Sequence, residues 1–126
     1  MTPPRQFLVI SQDSVDFLNS QYDLSVSFAH FRPNVVVATA SGDRPHLEDD
    51  ATRLMLATDV ELRALRPCAR CEMICIDPET GDRSRQPLRA LGAYRRRGGQ
   101  VLFGVLFSCE AGVGRVLRVG DPARIE

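Results

Sequence analysis

With 126 residues, 44% apolar and 25% charged, the chain has the makings of one ordinary globular domain, neither disordered nor long enough for two cores. Its 16 basic and 16 acidic residues leave no formal charge, which argues against a nucleic-acid binder, since such domains carry a basic excess. Every basic residue is arginine; without lysine the chain can form neither a Schiff base to pyridoxal phosphate nor a P-loop.

In chain order, "MTPPRQ" reads as an N-terminal extension over residues 1–6, and residues 7–126 as a single domain. The opening lacks the apolar region and cleavage site of a signal peptide. The runs "FLVI", "VVVA" and "VLFGVLF" are too short to span a bilayer. A cytoplasmic location with reduced thiols and no membrane partner is therefore expected. Phe7–Ser11 reads as a short buried strand. A helix follows over "DSVDFLNSQY", with Asp13 as N-cap and Val15, Leu18 and Tyr22 on one face. "NVVVAT", Asn34 to Thr39, is β-branched and predicts a central strand, and "SGDRP" a loop.

"VELRALRP" alternates as a half-buried strand ending at Pro67, and "EMICID" continues extended to a turn in which Gly81 takes a positive φ. "QPLRALGAYRRRGG" predicts a second helix, with Pro87 in its first turn, Leu88, Leu91 and Tyr94 inward, and Arg95-Arg96-Arg97 as a solvated end. "QVLFGVLFSC" is a strand whose Gly104 points to a bulge or a close approach. One or two strands around a turn at Gly120-Asp121-Pro122 finish the chain. Several strands, two short helices and no βαβ rhythm predict a mainly β fold, a small barrel or strongly bent sheet.

Three of the four cysteines, Cys68, Cys71 and Cys75, crowd into "CARCEMIC". A structural zinc site wants four ligands, and beyond this one knuckle only Cys109, His30 and His46 remain to help. Thioredoxin-like exchange wants the pair at a helix N-terminus in a βαβ setting, which is missing. Plain packing suits Cys75 and Cys109. In strand alternation Cys71, Met73 and Cys75 would share one face. Cys68 and Cys71 are less easily dismissed, because Arg66 and Arg70 adjoin them and cations favour the thiolate.

"FRPNVVV" at Phe31–Val37, "ED" at Glu48-Asp49, "CARCEMICIDPETG" at Cys68–Gly81, "PLRALGAYR" at Pro87–Arg95, "VLFG" at Val101–Gly104 and "VGDP" at Val119–Pro122 occur in that order. Together they resemble the MOSC domain, the C-terminal domain of molybdenum cofactor sulfurases, which also occurs in amidoxime-reducing molybdenum proteins. The wording "RCEMICID" is closer to the sulfurase branch. The tryptophan expected after Glu48-Asp49 is absent, with Ala51 near its position.

The resemblance implies a β-barrel-like fold and the molybdenum cofactor, a pterin with a dithiolene and a phosphate. Cys71 matches the cysteine that ligates molybdenum in the reductase relatives, with Cys68 beside it as a candidate sulfur relay. Arg32 and Asn34 match cofactor-contacting positions. Ser14 matches a small hydroxyl near the cofactor, and Arg70 either contacts it or tunes the thiols. Asp49 matches an acidic position that holds a substrate or orients an arginine.

The implied role is sulfur transfer to the cofactor. A pyridoxal-phosphate-dependent cysteine desulfurase domain would supply the sulfur, and a molybdenum hydroxylase would receive the product. The alternatives are a molybdenum oxidoreductase reducing N-hydroxylated substrates, and a cofactor-free remnant.

Overall fold

The computed structural model describes residues 6–39, 42, 44–112 and 114–126. The expected extension therefore lies outside the described residues except for Gln6, which opens the first strand; Ser41 and Asp43 of the "SGDRP" loop lie outside them too. The strands are β1 Gln6–Ser11, β2 Val35–Val37, β3 Arg53–Leu56, β4 Val60–Arg70, β5 Arg96–Arg97, β6 Gln100–Ala111 and β7 Ala123–Ile125. The α-helices are α1 Gln12–Tyr22 and α2 Gln86–Tyr94, and 3-10 turns cover Phe28–Phe31, Leu47–Asp50 and Glu72–Cys75. The strands hydrogen-bond in the order β2-β1-β6-β4-β3-β7, with β5 hairpinned onto β6. The sheet curls into the nearly closed, barrel-like architecture that the strand-rich sequence predicts. No helix among the described residues is long and apolar enough to cross a membrane.

Two apolar clusters lie on the two faces of this sheet. Leu8 and Ile10 of β1 face α1, α2 and the Glu72–Cys75 turn, packing with Leu18, Ile74, Leu91 and Phe103. Val9, between them, faces the inside of the curl with Leu54, Leu62, Val105 and Phe107. Strand alternation explains β1, but β6 breaks it: Phe103 and Val105 have the same parity and join different clusters. The break is at Gly104, which has φ +84°, and the β4 register shifts opposite it between Pro67 and Ala69. A Cβ on Gly104 would lie 2.8 Å from Ile10 Cγ2 and 2.9 Å from Leu8 Cδ1. Glycine here serves both the bulge and the close approach.

Several local expectations are corrected. Ser11, not Asp13, caps α1, its hydroxyl accepting from Ser14 N at 3.0 Å. Asp13 is buried and accepts from Thr39 N and Oγ1 and from Arg44 N, fastening the loop after β2. Val35–Val37 is an edge strand, not a central one, pairing only with β1 and in parallel. The β1-α1-β2 unit is thus one crossover in an otherwise antiparallel sheet. β4 does not stop at Pro67 but runs to Arg70, because the proline falls at a bulge where no ladder N–H is needed.

"EMIC" is a 3-10 turn rather than a strand. It buries Ile74 and Cys75 side by side and leaves Cys71 and Met73 outside, so the expected shared face does not exist. Arg95 is no solvated helix end. Its Nη2 lies 2.6 Å from Asp49 Oδ2 and its Nε donates to Leu102 O at 3.0 Å, while Arg96 and Arg97 form β5. Pro87 in the first turn of α2 and Gly81 with φ +77° stand as expected.

Candidate functional site

β4 carries Cys68 near its end and delivers Cys71 as the residue before the Glu72–Cys75 turn, in extended backbone with φ −125°. Burial of Ile74 and Cys75 anchors that turn, and Ile74 N reaches back to Cys71 O at 3.4 Å. The Cys71 thiol is left exposed; Cys68 is partly buried, and all four cysteines are free. For Cys71 this is the inverse of a packing role. The other three pack: Cys75 within the helix-side cluster, Cys68 against its margin, and Cys109 against the cluster inside the curl.

Arg70 joins this segment to the one at Phe31–Asn34. Its Nη1 donates to Cys68 Sγ at 3.4 Å, its Nη2 donates to Phe31 O at 2.5 Å, and its guanidinium carbon lies 5.8 Å from the Phe31 ring centroid. Phe31 itself is fully buried, stacked on Phe103 with centroids 4.1 Å apart. Residues 39 positions apart are therefore tied by one side chain.

Arg32 follows in the left-handed region, φ 53°, unusual for a residue with a Cβ. It is exposed, and among the described residues its guanidinium has no ion-pair partner. Asn34 accepts from Leu8 N at 2.7 Å through Oδ1 and donates its own N–H to Leu8 O at 2.9 Å, which aligns β2 beside β1. Its side-chain amide nitrogen has no protein partner among the described residues.

Ser14 and Asp49 lie elsewhere, in a buried polar cluster across the Phe31–Phe103 stack. Ser14 Oγ donates to Glu48 Oε1 at 3.0 Å and accepts from His46 N at 2.6 Å. His46 Nε2 is 3.0 Å from Tyr94 Oη, and its ring meets the Phe103 ring edge-on at 5.5 Å. Burial pushes the Glu48 carboxyl up to about 7 and the Tyr94 phenol up to about 12. Burial, helped by the Arg95 charge, pushes His46 down to about 4. The structure thus links Arg70 to Cys68 and to the backbone of Phe31, next to Arg32, and places Ser14 and Asp49 in the polar cluster around His46 and Glu48.

One feature escaped the sequence reading. Arg83, Arg85, Arg89 and Arg96 line, with Glu72 and Cys75, a cleft of about 570 Å³ against the Glu72–Cys75 turn. Arg96 reaches it by lying across α2, its Nη2 3.1 Å from where a Cβ on Gly92 would stand. Arg83, Arg85 and Arg89 crowd one short stretch of the sequence, but that they line a cleft together with Glu72, Cys75 and Arg96 is set by the fold.

A family model for the MOSC domain matches residues 1–124. Mitochondrial amidoxime-reducing component 1 of Homo sapiens is 37% identical over 125 residues, covering 92% of this chain and 35% of its own length. Molybdenum cofactor sulfurase of Oryza sativa subsp. japonica is 34% identical over 116 residues, covering 83% of this chain and 14% of its own. The molybdenum cofactor sulfurase of Caenorhabditis briggsae is 40% identical over 93 residues, covering 72% and 13%. The two kinds of relative match at similar identity, and the chain spans about a third or less of their length.

Proposed function

The chain belongs to the MOSC domain family, and on that footing we propose that it holds the molybdenum cofactor and takes part in sulfur transfer to it. The observation that carries this reading is the exposed Cys71 thiol at the end of β4, on a segment that Arg70 ties to the Phe31–Asn34 stretch. A thiolate is the side-chain ligand suited to a soft, sulfur-bound metal, and an unpaired arginine and a free amide suit an anionic, pterin-bearing ligand. These residues fit that group. When bound, it supplies a redox-active molybdenum centre that no side chain can offer.

Cys71 is the anchoring thiol in this reading. Arg32 takes the anionic end and Asn34 a pterin edge. Arg70 is already committed to Phe31 O and Cys68, so it positions rather than binds. Cys68 is the relay: its sulfur takes the outer sulfur of an incoming persulfide, and the donor's thiolate departs. A pyridoxal-phosphate-dependent cysteine desulfurase is the donor, because this lysine-free chain cannot make persulfide by that route. A molybdenum hydroxylase is the recipient, in the cytoplasm.

The test is molybdenum and pterin content of wild type beside Cys71→Ser, both from a cofactor-producing host. Molybdenum is expected to fall in Cys71→Ser, with unfolding stability within about 0.5 kcal/mol of wild type at this exposed position. Equal molybdenum in the two would remove Cys71 as the anchor. Sulfuration of the loaded protein by a desulfurase supports the transfer role. Turnover of an N-hydroxylated substrate with reductant would favour a reductase instead.

A further inference from the structure

His46, Glu48 and Asp49 each offer one ligating atom, and these atoms lie within 4.8 Å of one another. In the same three residues His46 Nδ1, Glu48 Oε2 and Asp49 Oδ1 are buried without a hydrogen-bond partner. Glu48 is only 1% exposed, so bulk water does not serve its open oxygen. A buried polar atom left unpaired costs about 1–3 kcal/mol, and one on each of three neighbouring ligand-type side chains calls for an occupant.

The other atom of each side chain is held from outside. Tyr94 Oη lies 3.0 Å from His46 Nε2, Ser14 Oγ 3.0 Å from Glu48 Oε1, and Arg95 Nη2 2.6 Å from Asp49 Oδ2. Fixing one end of each ligand by a hydrogen-bond partner, with the other end free, is how metal sites orient their ligands.

We propose that His46, Glu48 and Asp49 bind a divalent first-row transition ion. One imidazole nitrogen with two carboxylate oxygens suits zinc, manganese or ferrous iron; calcium and magnesium prefer oxygen alone, and cuprous ion prefers thiols. Two carboxylates beside the Arg95 cation leave one net negative charge, which a dication reverses without large excess. His46 and Asp49 are only partly buried, which gives the ion a route in from solvent. Its work is structural: it pins the His46–Asp49 segment to the start of α1 through Ser14 and to the end of α2 through Tyr94 and Arg95. This site is separate from Cys71 and does not depend on the cofactor reading.

The experiment is titration of chelator-stripped full chain with MnCl2, followed by loss of the free-ion EPR signal, with thermal melting in parallel. A ZnCl2 arm uses Cys68→Ser/Cys71→Ser protein, so that thiols do not compete. One ion per chain is expected, with a higher melting temperature that a chelator reverses. His46→Gln and Glu48→Gln should weaken binding at least about tenfold, and Tyr94→Phe, which keeps the ring packing, by about tenfold. No uptake of either ion by wild-type ligands, or uptake unchanged in folded His46→Gln and Glu48→Gln, overturns the site. So does wild type that takes no ion while metal-free Glu48→Gln melts higher, which would make the occupant a proton.

Discussion

The polar regions on either side of the Phe31–Phe103 stack are built in opposite ways. On one side Cys71, Arg32 and Asn34 are exposed, and the thiol, the guanidinium and the amide nitrogen are open to solvent. On the other, Ser14, His46, Glu48 and Asp49 are wrapped between α1, the Leu47–Asp50 turn and the end of α2, where most polar atoms already have a partner. A group that waits in water for a ligand costs the fold little. A group that waits in the interior must be held there by contacts on which stability depends. Substitutions should therefore change binding before stability on the cysteine side, and stability before anything else on the buried side.

The largest effect should come from the wall between them. Phe103 is fully buried, stacked on Phe31 and edged by His46, so Phe103→Ala should cost about 4 kcal/mol in urea unfolding. A loss under about 1 kcal/mol would mean the rings do not hold the two regions in place. Next is Arg95→Met, which strands the Asp49 carboxylate. The pair is 16% and 25% exposed, so solvent softens the penalty to about 2 kcal/mol. Adding Asp49→Asn should recover part of that; a double variant less stable than the single would break the assignment of Arg95 as the neutralising charge.

The effect in Glu48→Gln is one of slope, small at any single pH step. In metal-free protein Glu48 sits at about 7 folded against 4.5 unfolded, so the folded chain holds a proton that the unfolded chain releases, and stability falls as pH rises between them. His46 sits at about 4 against 6.5, so its contribution is lost as pH falls from 6.5 to 4. Between 4.5 and 6.5 the slopes oppose, and wild type should be nearly flat. Glu48→Gln removes the falling limb, so its urea midpoint should climb over that window, by up to roughly 1.4 kcal/mol per pH unit. A variant as flat as wild type would show that the buried carboxyl is not protonated.

How far the sequence could be read follows from which forces were local. Gly104 and Pro87 announced themselves because backbone geometry at those positions admits few residue types. The motif order was enough to name the family and to single out Cys71 and Arg32. "EMIC" misled because adjacent buried residues mimic a strand until the turn's three-residue repeat is known. "VVV" misled because β-branched residues suit any strand, and being at an edge is decided by what lies alongside. The Arg95–Asp49 pair and the His46–Glu48–Asp49 cluster come from the docking of α2 against a distant turn, which no spacing encodes. His46 in particular was legible only as a spare histidine.

The curl stops short of closing, and what it leaves bare is small. Its terminal strands, Val35–Val37 and Ala123–Ile125, offer three residues each. So brief a ledge gives a neighbouring molecule little purchase for adding a strand of its own, and the opening need not become a seed for fibrils.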